Sequence, residues 1–167
     1  MLLVEAQLSP GLKALGFKKN ARTWTRETPD AFQLVNLQKS RFSEQVYVNV
    51  AVYLKALGDE TSPPEHRCHI RARLERIAPE SLSEEIRSLN AALPMSASLL
   101  SALLEHAVPW LERVSSRPGL DLFVRSSMAR HCFVGAKVRA HLTASAREGW
   151  PHMRHKETST VLGAQTI

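Results

Sequence analysis

The stretch HRCHIRARLERI, residues 66–77, sets two histidines, a cysteine and four arginines within twelve positions. Such residues suit a metal site, a grip for an anion, or simply the wet face of a strand. A metal needs three or four ligands converging on one point. His66, Cys68 and His69 are of suitable type, and His131 with Cys132 could add a second pair. In a strand, however, the neighbours Cys68 and His69 point to opposite faces, and no C-x-x-C spacing occurs in the chain. No metal ligand and no cofactor is assigned. The anion grip is better supported, because His69, Arg71 and Arg73 alternate along one strand face at steps of about 7 Å. Guanidinium forks present paired donors to phosphate or carboxylate. The plainer alternative is a solvated face paired with Glu65, Glu75 or Glu80.

Nucleic acid is a second anionic partner to weigh. Residues 125–156 hold Arg125, Arg130, Lys137, Arg139, Arg147, Arg154 and Lys156 with only Glu148 among them, the charge footprint of a backbone binder. No helix-turn-helix, RNP-type or zinc-finger signature accompanies it, and only Phe133 and Trp150 interleave as aromatics. Arg130, Lys137 and Arg139 are the contacts this alternative would use. Catalysis has less support, since the chain carries no G-x-S-x-G, P-loop, G-x-G-x-x-G or H-E-x-x-H motif. A triad built from Cys68 or Cys132 and a distant histidine stays open as a third reading. No catalytic residue is assigned.

The elements that must position these residues show in the period of the apolar pattern. Residues 2–15 predict a helix in one or two pieces, with Ser9 as cap, Pro10 at a first helical position, Gly16 as stop, and Leu8, Leu12 and Leu15 on one face. The segments 21–27, 32–40 and 45–54 are rich in Val, Tyr, Trp and Thr and predict three strands of an antiparallel meander. If Ser40 pairs with Gln45, then Lys39 faces Val46, Leu37 faces Val48 and Val35 faces Val50. One face is then almost wholly apolar, and the other carries Phe32, Leu34, Asn36, Gln38, Tyr47, Asn49 and Tyr53, with Asn36 opposite Asn49.

Residues 55–65 predict a loop and CHIRARL a fourth strand, while 82–93 fit either a weak fifth strand or a helix. From Met95 the period is helical, with Pro109 expected to break or kink the element and 126–147 expected to form a further helix. Residues 151–167 lack periodicity and predict a flexible tail after a single domain, 1–150.

Bulk properties bound the answer. At 167 residues, 44% hydrophobic and 23% charged, the chain matches one ordinary globular domain. Glu5 interrupts the apolar N-terminus, and no run nears the roughly 18 apolar residues of a membrane span. With no export signal, a cytoplasmic protein with reduced thiols and no membrane partner is expected. The net charge of +6 is concentrated at the two ends of the chain and favours acidic partners.

The segments LKALGFKKNARTWTRETPDAFQLVNLQKS, VNVAVYL, CHIRARL and HAVPWLE, in that order, resemble the uncharacterised bacterial family known as domain of unknown function 4304, over roughly residues 8–115. The resemblance implies a small cytoplasmic α+β protein and no particular reaction. That family often places a tryptophan-rich strand after the HIR strand, where this chain has SEEIRSLN.

These readings converge on an α+β fold: an antiparallel meander of four or five strands, helices on one face, an N-terminal helix and a helical C-terminal half. A non-enzymatic binding module is expected, meeting an acidic protein, as an immunity or antitoxin-like protein does, or a small anionic ligand. Its surface would comprise Asn36, Gln38, Tyr47, Asn49, His69, Arg71 and Arg73. The position of the helices discriminates, because helices covering the amide face would make its polar groups mere satisfied core residues.

Overall fold

The alternating Val, Leu and Tyr residues at the centre of the chain build a hairpin in the expected register. In a computed structural model describing residues 2–147, Lys39 faces Val46, Leu37 faces Val48, Val35 faces Val50 and Asn36 faces Asn49. The Ser40 N–H donates to the Gln45 carbonyl at 2.8 Å, closing the turn. Among the described residues this hairpin lies within a sheet of six antiparallel strands in sequential order: β1 (Lys18–Asn20), β2 (Thr23–Glu27), β3 (Ala31–Lys39), β4 (Val46–Leu54), β5 (Ile70–Arg73) and β6 (Phe133–Val134). The sheet is a meander, as expected, but with six strands instead of four or five. The additions, β1 and β6, are the short edges. Lys18 and Lys19 on the one, and a length of two residues on the other, discourage edge pairing with further chains.

Among the described residues five α-helices supply the opposing layer: α1 (Leu3–Ala14), α2 (Glu80–Arg87), α3 (Ala97–Ser115), α4 (Arg117–Arg125) and α5 (Ala136–Arg147). Val4, Leu8 and Leu12 of α1, Ile86 of α2, Leu99, Leu103 and Leu111 of α3, Leu120 and Phe123 of α4, and Val138 of α5 all join the apolar face of the sheet in one buried cluster. The fold is therefore α+β with the helices gathered on one face of the sheet.

Several local expectations are corrected. Helix α1 is one piece, beginning well before Ser9. The Leu2 N–H donates to the Glu5 carboxylate at 3.2 Å, Ser9 Oγ donates to the Glu5 carbonyl, and Pro10 sits inside the helix. Its buried stripe is Val4, Leu8, Leu12, and Leu15 is 39% exposed. Gly16 does end it, at φ 84°, with the Gly16 and Phe17 N–H groups closing back on the Lys13 and Leu12 carbonyls at 3.0 Å. Helix α3 runs through Pro109 and ends at Ser115, where Ser116 caps α4 by accepting from the Gly119 N–H.

Residues 80–87 are helical, so the strand option for 82–93 falls. The single helix expected over 126–147 is divided into a 3-10 turn (Ser127–His131), strand β6 and helix α5. Phe133 and Val134 suit a strand, and the Gly135 N–H donates to the His69 carbonyl at 2.8 Å, tying the segment to β5. The tail expected at 151–167 lies outside the described residues.

The outer face of the sheet, turned away from the helices, has two halves. At one end Phe32, Leu34, Ala51, Tyr53 and Cys68 form a small buried cluster. The chain between β4 and β5 is fastened here, with the Glu60 N–H donating to the Tyr53 hydroxyl at 3.1 Å. At the other end the face is polar, and the core-forming helices lie on the opposite side of the sheet.

Candidate anion-binding face

The polar half is laid out by strand register. Thr23, Asn36, Asn49 and Arg73 stand directly opposite one another across four strands, a row of about 14 Å at ordinary strand spacing. Asn36 Nδ2 donates to Thr23 Oγ1 at 2.8 Å, and Asn49 Nδ2 donates to Gln38 Oε1 at 3.2 Å. Asn49 is buried, Asn36 and Tyr47 are half-buried, and Gln38 is exposed. The amides thus form a mutually bonded strip with an outer edge open to solvent. The Tyr47 hydroxyl donates to Gln45 Oε1 at 2.7 Å.

The arginines continue this strip toward β6. Each guanidinium is packed on an aromatic ring: Arg71 lies 4.1 Å from the centroid of Phe133, its cross-strand partner, and Arg73 lies 4.1 Å from that of Tyr47. Neither holds a close carboxylate. The Arg73 to Glu75 separation is 3.9 Å, at the outer limit of an ion pair, and among the described residues Arg71 has no ion pair. The Nε of Arg71 is buried without a hydrogen-bond acceptor, an arrangement that leaves a charged donor unsatisfied. By contrast Arg67, from the same stretch, pairs with Glu60 at 2.5 Å.

These two arginines meet residues from more distant segments in a shallow pocket of about 390 Å³. Asn49 and Ala72 contribute to its wall, Arg76 and His131 add further basic groups, Phe133 adds an aromatic edge, and Glu65 is its acidic lining residue. Arg76 and His131 are exposed and make no hydrogen bond or ion pair among the described residues. Both were absent from the residues predicted for the site. Arg76 lies within the HRCHIRARLERI stretch, but a 3-10 turn at Leu74–Arg76 follows β5 and breaks the strand alternation there. His131 arrives only because β6 pairs with β5.

His69 shares the strand face of Arg71 and Arg73 and serves a different purpose. Its Nδ1 accepts from the Leu54 N–H at 3.0 Å, so the ring proton sits on Nε2. The ring lies 4.4 Å from that of Tyr53. Burial, reinforced by the Lys137 charge, holds its pKa below the usual histidine value. It is a neutral strut between β4 and β5, outside the basic cluster.

The residues of the nucleic-acid alternative do not converge. Arg130 is in the 3-10 turn before β6, whereas Lys137 and Arg139, all three being exposed, are two residues apart on α5 and hence on nearly opposite sides of it. Arg125, at the start of the basic run, is paired with Asp121 at 3.0 Å. Arg154 and Lys156 lie outside the described residues.

Both thiols are held protonated. Burial pushes Cys68 up to about 12, and burial likewise pushes Cys132 up to about 11. Nucleophilic chemistry needs the thiolate, so neither cysteine is poised for it. Among the described residues no three His, Cys, Asp or Glu side chains gather as a metal site would require, and no helix is long and apolar enough to cross a membrane.

Residues 8–113 match the family model for a domain of unknown function, DUF4304. The chain belongs to the DUF4304 family. The matched range contains the amide strip together with Arg71, Arg73 and Arg76, whereas His131 and Phe133 stand beyond it, so the pocket joins DUF4304 residues to the segment that follows them. No curated protein and no solved structure matches the chain.

Proposed function

We propose that this protein is a non-enzymatic binding module that receives an anionic group of a partner on the open, polar half of its outer sheet face. The observation that carries the reading is the state of Arg71 and Arg73. Both cations are braced on aromatic rings, yet neither is neutralised by a close carboxylate. A structural arginine would be expected to have its donors occupied. A pre-positioned arginine awaiting an acidic partner has them vacant, at a lower ordering cost on binding. The amide strip of Asn36, Gln38 and Asn49 would then give hydrogen-bonding specificity beside the charge.

The test is fluorescence anisotropy of a labelled Asp/Glu-rich peptide, comparing wild type with an Arg71→Gln, Arg73→Gln variant whose fold is checked by circular dichroism. Binding should weaken by about tenfold or more, as loss of charge-assisted hydrogen bonds implies. Equal binding by both proteins would defeat the reading. A duplex DNA probe bound equally by both, and lost on replacing Arg130, Lys137 and Arg139 with Gln, would move the function to nucleic acid.

A further inference from the structure

We infer that the pocket at the β5–β6 end of this face is a site for a terminal phosphoryl group, a tetrahedral dianion, in preference to a carboxylate; this rests on the anion-binding reading above. The argument begins with charge. Arg71, Arg73 and Arg76 border one pocket of about 390 Å³ together with His131, and Glu65 is the acidic residue lining it. A single carboxylate carries one negative charge in one plane and satisfies one guanidinium fork, leaving further cations uncompensated. A phosphate monoester carries between −1.5 and −2 charges, with three terminal oxygens directed apart, and can accept from several arginines at once.

Geometry supports the same choice. The three arginines stand on two supports. Arg71 and Arg73 rise from alternate positions of one strand, and Arg76 comes from the turn that follows it. Their orientations are independently set, by Phe133 for Arg71 and by Tyr47 for Arg73. Donors fixed on separate supports suit a tetrahedral acceptor better than a planar one. A phosphodiester backbone, with one charge per phosphate and no terminal dianion, fits this cluster less well.

The test is isothermal titration of inorganic phosphate into the full-length protein at constant ionic strength, with acetate as the carboxylate control. Phenyl phosphate and a phosphoserine peptide serve as the small-molecule and protein-borne forms. Arg76→Gln is the informative variant, because Arg76 is exposed and its loss leaves no described hydrogen bond broken. Saturable phosphate binding that acetate does not compete away, weakened about tenfold in Arg76→Gln, is the expected result. Tighter binding of phenyl phosphate would assign the site to a small phosphorylated molecule, and tighter binding of the phosphopeptide to a phosphorylated partner. Acetate competing as well as phosphate, or phosphate binding unchanged in Arg76→Gln, would overturn the assignment. If phosphate fails while the acidic peptide still binds, only the phosphoryl assignment falls. If both fail, the anion-binding reading falls with it.

Discussion

The guanidinium of Arg71 lies over the ring of Phe133, 4.1 Å from its centroid, and the two residues are direct cross-strand partners of β5 and β6. This pair holds the shortest strand of the sheet to its neighbour and sets the direction of the Arg71 donors. Phe133→Leu keeps an apolar side chain and removes the ring face. The expected loss is about 0.5–1 kcal/mol of stability, read by urea denaturation, with weaker binding of the anionic peptide. An unchanged midpoint and unchanged binding would show that the ring neither supports nor orients the arginine.

A buried polar chain on the helix side of the sheet makes a second prediction. Gln33, 1% exposed, accepts from Arg26 Nε at 2.7 Å and donates to Ser115 Oγ at 2.9 Å, while Arg26 also reaches Glu112 of α3 at 3.0 Å. Gln33→Leu leaves the buried part of Arg26 and the Ser115 hydroxyl short of partners. It should cost about 1–3 kcal/mol, seen as a lower melting temperature. A variant as stable as wild type would mean that apolar packing replaces the chain without loss.

His69 gives a pH prediction. Its pKa is held below the ordinary histidine value in the folded protein by burial and by Lys137. At pH values between the folded and unfolded pKa, the unfolded chain binds a proton that the native one refuses. The stability His69 contributes is therefore complete above the unfolded value, about 6.5, and declines as pH falls through the folded value. Melting temperatures from pH 7.5 downward should show this fall. His69→Gln, which cannot titrate, should flatten it, and an equal slope in the variant would remove His69 from the account.

The cysteines predict slow chemistry. With Cys68 pushed up to about 12 and Cys132 up to about 11, little thiolate exists near neutral pH. A disulfide reagent at pH 8 should label native protein far more slowly than denatured protein, whose two thiols should react at once. Rapid labelling of either cysteine in the native state would revive the nucleophile reading set aside above.

The central hairpin was legible in the sequence down to its register. A one-residue slip between β3 and β4 would have put Val35 and Leu37 on the face opposite to Val48 and Val50, so the apolar alternation sets the parity, and the turn that pairs Ser40 with Gln45 sets which residues face one another. The same parity placed Asn36 opposite Asn49 and set His69, Arg71 and Arg73 on one face. Gly16 was legible as a helix stop for an equally local reason, the left-handed conformation that glycine adopts cheaply. Local signals misled where tertiary contacts outweighed them. Pro10 and Pro109 both sit within continuous helices, because each helix is held by a buried apolar stripe, Val4, Leu8 and Leu12 in α1 and Leu103, Ala107 and Leu111 in α3.

By itself, then, the sequence determined an α+β chain with an apolar and a polar sheet face and a basic run along β5. These follow from side-chain period and type, which act between near neighbours. Only the tertiary structure decided that Phe133 and His131, some sixty residues farther along the chain, stand beside Arg71. It also decided that His69 accepts from the Leu54 N–H, and that Gln33 occupies an otherwise apolar position because Ser115 waits across the core. Such pairings depend on how separate elements pack, and no local period encodes which distant side chain will supply the missing charge, ring or hydrogen bond.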